Sequence, residues 1–301
     1  MARTWATADI GSNTVHLLVA TTDGKKLERL VNESEWLSLG ETVTKEGIVT
    51  DAKLKHLIDT LRRFRRTARA RGTDRFYLFA TEAIRIARNH EKVLDTIASE
   101  AEVVVEVISP RREAELSVRG CCLDSPSPSV MIEVGGGSVQ IASAENYELV
   151  DSVSLPLGSG RLMAEAGLRF PPSHHGIEII EDHIKRALQD YELVESGPTQ
   201  VVGCGGVVRG LWRALHPDGE KVLLVEELDY LSFQCRRLNI STIAARFGVK
   251  NRRAATLLPG AMVYSALLKR LGVEEIHVSE YGVREGAVLE MSRGRIEPCL
   301  V

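Results

Sequence analysis

Two short stretches combine an acid, glycine and a hydroxyl at matching spacing. In residues 129–142, SVMIEVGGGSVQIA, an apolar run (Val130, Met131, Ile132) ends in Glu133, followed by Gly135, Gly136, Gly137 and Ser138 and a second apolar run. Glycines between two strands favour a tight turn with positive φ, in which backbone amides crowd a ligand. Successive N–H groups facing one concavity form an anion nest, and the neighbouring carboxylate can hold a cation directly or through water. Alone, the stretch reads equally as an ordinary glycine hairpin. Residues 8–20, ADIGSNTVHLLVA, carry the same pattern 124 residues earlier, with Ser12 and Asn13 inside the bend. Asp9 falls on Glu133, Gly11 on Gly135, Thr14 on Ser138 and His16 on Gln140. Two such hairpins at domain-sized separation predict two related halves facing one phosphate, in the interdomain setting where ligand sites concentrate. A third glycine turn, Gly203, Cys204, Gly205 and Gly206, follows the apolar Val201 and Val202 and opens a helix carrying Arg209. Helix starts of this kind receive anions.

The elements that must position these residues follow from periodicity and caps. Strands are expected at 5–10 and 15–20, and one or two more within 27–39. Thr50 caps a helix whose Leu54, Leu57, Ile58, Leu61 and Phe64 keep helical spacing as far as Gly72. Its other face holds Arg62, Arg63, Arg65, Arg66, Arg69 and Arg71, best read as a solvated charged face. A strand at 76–80, a helix from Thr81 to about Glu100, a strand at 103–108 and a helix capped by Ser109 and Pro110 follow. This alternation implies an α/β domain. The polar, proline-rich segment 123–129 sets the boundary, giving domains at 1–124 and 125–286, with 287–301 a candidate addition to the first. In the second half we expect a strand at 150–155, a short helix after Gly160, a long helix at about 177–192 and a buried helix at 254–270. A strand at 275–278 and a closing helix at 286–291 complete it.

The 301 residues, 44% hydrophobic and 26% charged, can bury a real core. A formal charge of −3 gives no general reason to expect nucleic acid, so polyanion affinity must come from local arginines. The five cysteines (Cys121, Cys122, Cys204, Cys235, Cys299) lack metal-ligand spacing and fit a reduced, cytoplasmic compartment. No leader and no apolar run of about 18 residues stands out, so no membrane partner is expected. His174 and His175 have no third ligand at recognisable spacing and read as a surface loop.

Seven motifs in order carry a resemblance: DIGSNTVH (9–16), ATEAIR (80–85), EVGGGS (133–138), LPLG (155–158) with Arg161, GCGGVVR (203–209), LPGA (258–261) and SEYGVREG (279–286). Together they resemble the exopolyphosphatase / guanosine pentaphosphate phosphohydrolase (Ppx/GppA) family in its short two-domain form. The resemblance implies two actin-like α/β domains (the sugar kinase/Hsp70/actin superfamily, RNase H-like) around an interdomain cleft, a homodimer, and use of Mg²⁺ or Mn²⁺. It implies Asp9 and Glu133 as metal ligands. For phosphate it implies Gly11, Ser12, Asn13, Thr14, Gly135, Gly136, Gly137, Ser138, Gly203, Cys204, Gly205 and Gly206, with Arg85, Arg161, Arg209 and Arg284. The family's general base is the second glutamate of a Ser-Gly-x-Glu-Glu-Ala stretch, which here reads SPRREA (109–114), placing Glu113 on the base and Arg112 on its acidic neighbour.

Two positions depart from the family pattern. Its glycine motif begins with aspartate and carries a glutamate seven residues later, where this chain has Glu133 and Gln140. Gln140 cannot be a base, though it can orient a water. Guanidinium forks grip phosphate, and a phosphate chain needs several along its track. Arg88, Arg252 and Arg253 read as surface charges beside these. Aromatic residues make up only 5%, which tilts the choice towards inorganic polyphosphate over a nucleotide such as guanosine pentaphosphate. The expected activity is phosphoric anhydride hydrolysis; a kinase of the same superfamily and a non-enzymatic sensor of polyphosphate or a guanosine alarmone are the alternatives.

Overall fold

The computed structural model describes residues 3–73, 75–189, 198–217 and 219–300. The chain forms two compact units, Met1–Leu123 with Tyr281–Val301 and Asp124–Glu280.

The first unit opens with the antiparallel meander β1 (Arg3–Ile10), β2 (Thr14–Thr22) and β3 (Leu27–Trp36). Then come α1 (Leu39–Glu46), α2 (Asp51–Ala70), β4 (Arg75–Ala80), α3 (Glu82–Ile86), α4 (His90–Ala101), β5 (Val105–Val107) and α5 (Pro110–Cys121). β4 lies parallel to both β1 and β5. Alternation along the strands feeds two layers of core. Ala6, Ala8, Ile10, Val15 and Leu17 pack with Leu57, Leu61 and Phe64 of α2, whereas Trp5, Leu18, Ala20 and Phe79 pack with Leu116 of α5.

Two expectations change here. The strand expected to run to residue 39 ends at Trp36, and Leu39 already opens α1. The helix expected over 81–100 is two helices, because Asn89 clasps a distant backbone: its Nδ2 donates to Val49 O (2.8 Å) and its Oδ1 accepts from Val49 N (3.0 Å). A break imposed from forty residues away leaves no trace in local periodicity. The arginine face of α2 is solvated as expected, with Arg62, Arg63, Arg66, Arg69 and Arg71 exposed; its contacts are surface ones, Arg63 with Glu35 (2.8 Å), Arg62 with Glu100 O (2.9 Å) and Arg65 with Glu102.

The second unit repeats the plan with β6 (Val130–Val134), β7 (Val139–Glu145), β8 (Glu148–Leu155), α6 (Ser159–Glu165), α7 (His174–Gln189), β9 (Val201–Cys204) and α8 (Gly205–Leu215). It ends with β10 (Val222–Leu224), α9 (Val225–Cys235), α10 (Ile240–Arg246), α11 (Asn251–Leu271) and β11 (Glu275–Val278). The sheet order is β10-β11-β9-β6-β7-β8, with β6, β9 and β11 parallel. The expected end of α7 near Glu192 lies outside the described residues. α11 packs closely on α8: a Cβ on Gly260 would come within 2.5 Å of Val207. Its buried Tyr264 hydroxyl accepts from Val134 N (3.3 Å) and donates to Ile132 O (3.4 Å), bracing the end of β6.

The chain then returns to the first unit with α12 (Val283–Ser292) and β12 (Cys299–Leu300), so the return falls at Tyr281 and not after Gly286. Glycine makes this docking possible. A Cβ on Gly286 would sit 1.8 Å from Leu116 O, and one on Gly120 would sit 2.1 Å from Gly282 O. Each sheet is thus an antiparallel meander continued by parallel strands, the actin-like architecture expected from the resemblance. No helix among the described residues is long and apolar enough to cross a membrane.

Candidate functional site

In each unit the chemistry-bearing residues follow the C-terminal ends of parallel strands, where α/β sheets bind ligands. In the first, Ile10, Ala80 and Val107 are neighbours across β1, β4 and β5, and Thr81 N donates to Ile10 O (3.2 Å) and Ile108 N to Ala80 O (3.0 Å). The bend at 11–14, α3 with Arg85, and α5 with Glu113 therefore leave one sheet edge. In the second, Ile132 pairs with Gly203 and Val278 with Gly203, and Ser279 N donates to Gly203 O (2.8 Å). The bend at 135–138, α8 and the 279–280 segment leave the matching edge.

The two bends are built alike. Gly11 N donates to Thr14 O (3.1 Å), and Gly135 N to Ser138 O (2.8 Å). In the first unit Asn13 O accepts from Leu37 N and Ser38 N (both 2.9 Å), and Ser12 O from Gly40 N (2.7 Å). In the second, Gly137 O accepts from Gly158 N (3.1 Å) and Gly136 O from Arg161 N (2.9 Å). The corner carbonyls are thus engaged by the loop that enters α1 or α6. Among the described residues no carbonyl accepts from the N–H groups of Ser12, Asn13, Gly136 or Gly137. Such unpaired amides suit an anion.

The glycines serve a different purpose from the one expected. Gly11, Gly135, Gly136 and Gly137 do not adopt positive φ. Within the bends a Cβ on Gly11 would lie 3.1 Å from Thr14 O and one on Gly135 3.2 Å from Ser138 O; the loops behind them are tighter, since a Cβ on Gly158 would lie 2.2 Å from the Gly137 carbonyl carbon and one on Gly40 2.8 Å from Ser12 Cβ. The strained position is Ser38, a non-glycine at φ 52°, immediately behind the first bend.

The acids occupy equivalent register positions. Asp9 is paired with His16 across β1 and β2, and Glu133 with Gln140 across β6 and β7. His16 is thereby a neighbour of the first acid, which the repeat indicates in the sequence. The Glu133 carboxylate lies over Gly205, which has φ +86°; a Cβ there would be 2.8 Å from Glu133 Oε1. Cys204 Sγ is 3.7 Å from Glu133 Oε2. Gln140 is 1% exposed. Its Nε2 donates to Ser138 Oγ (3.2 Å) and Ser154 Oγ (3.0 Å), while its buried Oε1 accepts nothing among the described residues. Glu113 stands in the first turn of α5, after Ser109 has capped the helix by accepting from Arg112 N (3.1 Å). Arg85 lies beside it, with Nη1 3.6 Å from Glu113 Oε2 and donating to Ile108 O (2.7 Å).

The other predicted residues divide. Arg161 donates from Nε to Gly137 O (3.1 Å), which puts it at the second bend. Arg209 donates to Gly205 O (3.0 Å) and Glu280 O (2.5 Å) at the third turn. Gly206 is exposed there, whereas Gly203 and Cys204 are buried inside β9 and belong to the strand. Arg284 is 5% exposed and donates to Asn32 Oδ1 (3.0 Å), opposite Leu18 along β2 and β3, a brace away from the bend. Arg253 is no mere surface charge. Its side chain packs on Gly210 and Gly206, and burial together with the charges of Arg209 and Arg213 pushes its pKa down to about 10. Arg253 thus lies against the first turns of α8, on the helix that carries Arg209, whereas Arg213 stands in the last turn of that helix.

Each unit offers one carboxylate beside its bend to a divalent ion. Among the described residues no three acidic, histidine or cysteine side chains cluster as a closed cage. Magnesium, however, is commonly held by one or two carboxylates plus substrate phosphates. Asp9 and Glu133 are the carboxylates beside the bends, and the unsatisfied Gln140 Oε1 suits a water or a hydrated cation.

Residues 18–294 match the Ppx/GppA phosphatase family, and the chain belongs to it. It is 29% identical over 295 residues to Exopolyphosphatase 1 of Mycobacterium leprae, covering 93% of this chain and 87% of that one. The structure of an exopolyphosphatase from Cytophaga hutchinsonii superposes with a TM-score of 0.86 at 24% identity, covering 99% of this chain and all (100%) of the other. A Ppx/GppA family member from Aquifex aeolicus superposes with a TM-score of 0.82 at 24% identity, covering 98% and 99% of the two chains. These structural likenesses establish the fold.

Proposed function

We propose that the protein is a Mg²⁺-dependent hydrolase that removes the terminal phosphate of inorganic polyphosphate, with guanosine pentaphosphate as a second substrate. The observation that carries this is the pair of bends whose carbonyls face back into their own unit, leaving four N–H groups for phosphoryl oxygens. The name of the Mycobacterium leprae relative supports the choice of substrate.

Phosphoryl transfer asks a protein mainly to position the reactants and to stabilise charge on the equatorial oxygens. The amides of Ser12, Asn13, Gly136 and Gly137 supply fixed dipoles for that charge. Arg161 and Arg209, each tied to a backbone carbonyl, hold neighbouring phosphates of the chain, and Arg253 adds a third cation. Asp9 and Glu133 would hold magnesium, which when bound neutralises phosphate charge. Glu113 accepts the proton of the attacking water, kept in place by Arg85. The water oxygen bonds to the terminal phosphorus, the anhydride bond breaks, and the products are orthophosphate and a chain one phosphate shorter. Gln140 accepts a hydrogen bond from a water through Oε1, a task that does not require a base.

Phosphate release should be measured on polyphosphates of several lengths, on guanosine pentaphosphate, and on ATP with candidate acceptors, each with and without Mg²⁺. Release from polyphosphate that needs Mg²⁺ and no acceptor is expected. Tight binding without release would replace the hydrolase with a sensor, and acceptor-dependent ADP formation would replace it with a kinase.

A further inference from the structure

Asp124 was singled out by nothing in the sequence beyond its place in the polar connection, yet it is the centre of a polar clasp. Ser279 Oγ donates to its Oδ1 (2.5 Å) and Glu280 N to its Oδ2 (2.9 Å). Lys221 Nζ bridges the same Oδ2 (3.0 Å) and Glu280 Oε1 (2.8 Å). The carboxylate of Asp124 is only 12% exposed, so these bonds are screened little by water. The lysine's hydrogen bond also holds the Glu280 carboxyl below its usual range.

The clasp reaches the third glycine turn in one step. Glu280 O, whose peptide neighbour is fixed by Asp124, accepts from Arg209 Nη1, and Arg209 Nε is taken by Gly205 O. A guanidinium carries five N–H donors in a rigid fork. Fixing Nε and one Nη1 hydrogen sets the plane of the group and the direction of the remaining three. Every residue of this chain of contacts belongs to the second unit.

We propose that Asp124 is a positioning residue for Arg209: by fixing the Ser279 and Glu280 backbone it holds the carbonyl that orients the arginine's free N–H groups towards a phosphate at the 203–206 turn. The phosphate itself rests on the proposed function; the orientation of Arg209 does not. A loss of order in Arg209 weakens substrate binding without touching Glu113, so the expected signature is a rise in KM with kcat nearly kept.

The test pairs Asp124→Ala and Asp124→Asn with Arg209→Ala, in steady-state phosphate release from polyphosphate and in ¹⁵N NMR of the arginine Nε–H groups of the full chain. Asp124→Ala is expected to raise KM about tenfold, since misplacement of about 1 Å in a positioning group is costly. Asp124→Asn, which keeps one acceptor oxygen, falls between it and wild type. In an Arg209→Ala background the Asp124→Ala effect on KM vanishes, and in Asp124→Ala alone the Arg209 Nε–H resonance loses its protection from solvent exchange. An unchanged, protected Arg209 resonance in Asp124→Ala overturns the proposal, as does a KM effect that persists in full without Arg209. If the resonance is lost while Arg209→Ala leaves KM untouched, the clasp stands and phosphate binding at this turn fails.

Discussion

Alanine at Gly158 tests whether the second bend must be held where it is. An ideal Cβ there would sit 2.2 Å from the Gly137 carbonyl carbon, 2.4 Å from Gly137 N and 2.5 Å from the Gly136 carbonyl carbon. Carbon atoms rest at roughly 3.5–4.0 Å, so the loop and the bend must part by more than about 1 Å. All three obstructing atoms are backbone, and no side chain can rotate aside. The separation strains the bonds from Gly158 N, Ser159 N (3.0 Å to Gly135 O) and Arg161 N that fix the bend. Displacement of about 1 Å at a reacting centre costs roughly 10²-fold, equal to about 2.7 kcal/mol of transition-state stabilisation. Overpacking of this kind costs about 1–3 kcal/mol of fold stability as well. Phosphate release should therefore be assayed well below the melting temperature, with circular dichroism confirming the folded state. A folded Gly158→Ala protein within about threefold of wild-type kcat/KM would refute the role assigned to the bend.

Glu113→Gln should lower kcat by roughly 10²–10⁴-fold with little change in melting temperature, because Arg85 keeps its bond to Ile108 O; comparable turnover would remove Glu113 as the base. Arg253→Met should raise the melting temperature while weakening polyphosphate binding. Its folded pKa of about 10 lies below arginine's ordinary value, so the unfolded chain binds the extra proton between the two. Stability therefore rises with pH across that window, and the charge is a cost throughout neutral pH. Loss of stability in Arg253→Met without tripolyphosphate present would contradict this. Gly286→Ala should cost the first unit about 3 kcal/mol or more, since its Cβ would lie 1.8 Å from Leu116 O; a melting temperature within about 2 °C of wild type would show that α12 can slide on α5.

Much of the fold was legible because it rests on short-range signals. The internal repeat, read from one-letter spacing, recurs in the register of the sheets: Asp9 opposite His16 and Glu133 opposite Gln140. Ser109 and Pro110 announced α5, and the spacing of Leu54, Leu57, Leu61 and Phe64 announced α2. What escaped was set by contacts far apart in sequence. Asn89 breaks a helix by reaching Val49, and the return of α12 depends on two glycines that matter only once Leu116 and Gly282 are in place. Among site residues, the glycines of the two bends do not supply the positive φ that their spacing suggests, whereas Gly205 of the third turn does. Arg253 looked like any exposed arginine until Gly206 and Gly210 were found beneath it, and Arg284 stood in a motif yet braces Asn32.

The central claim is that backbone amides of the two bends grip phosphoryl oxygens. The most direct measurement is a ¹H–¹⁵N titration of the Glu113→Gln protein with tripolyphosphate and Mg²⁺. The amides of Ser12 and Asn13 in the first unit, and of Gly136 and Gly137 in the second, should each move downfield and saturate. Saturable shifts confined to other residues, with these four amides unmoved, would contradict it.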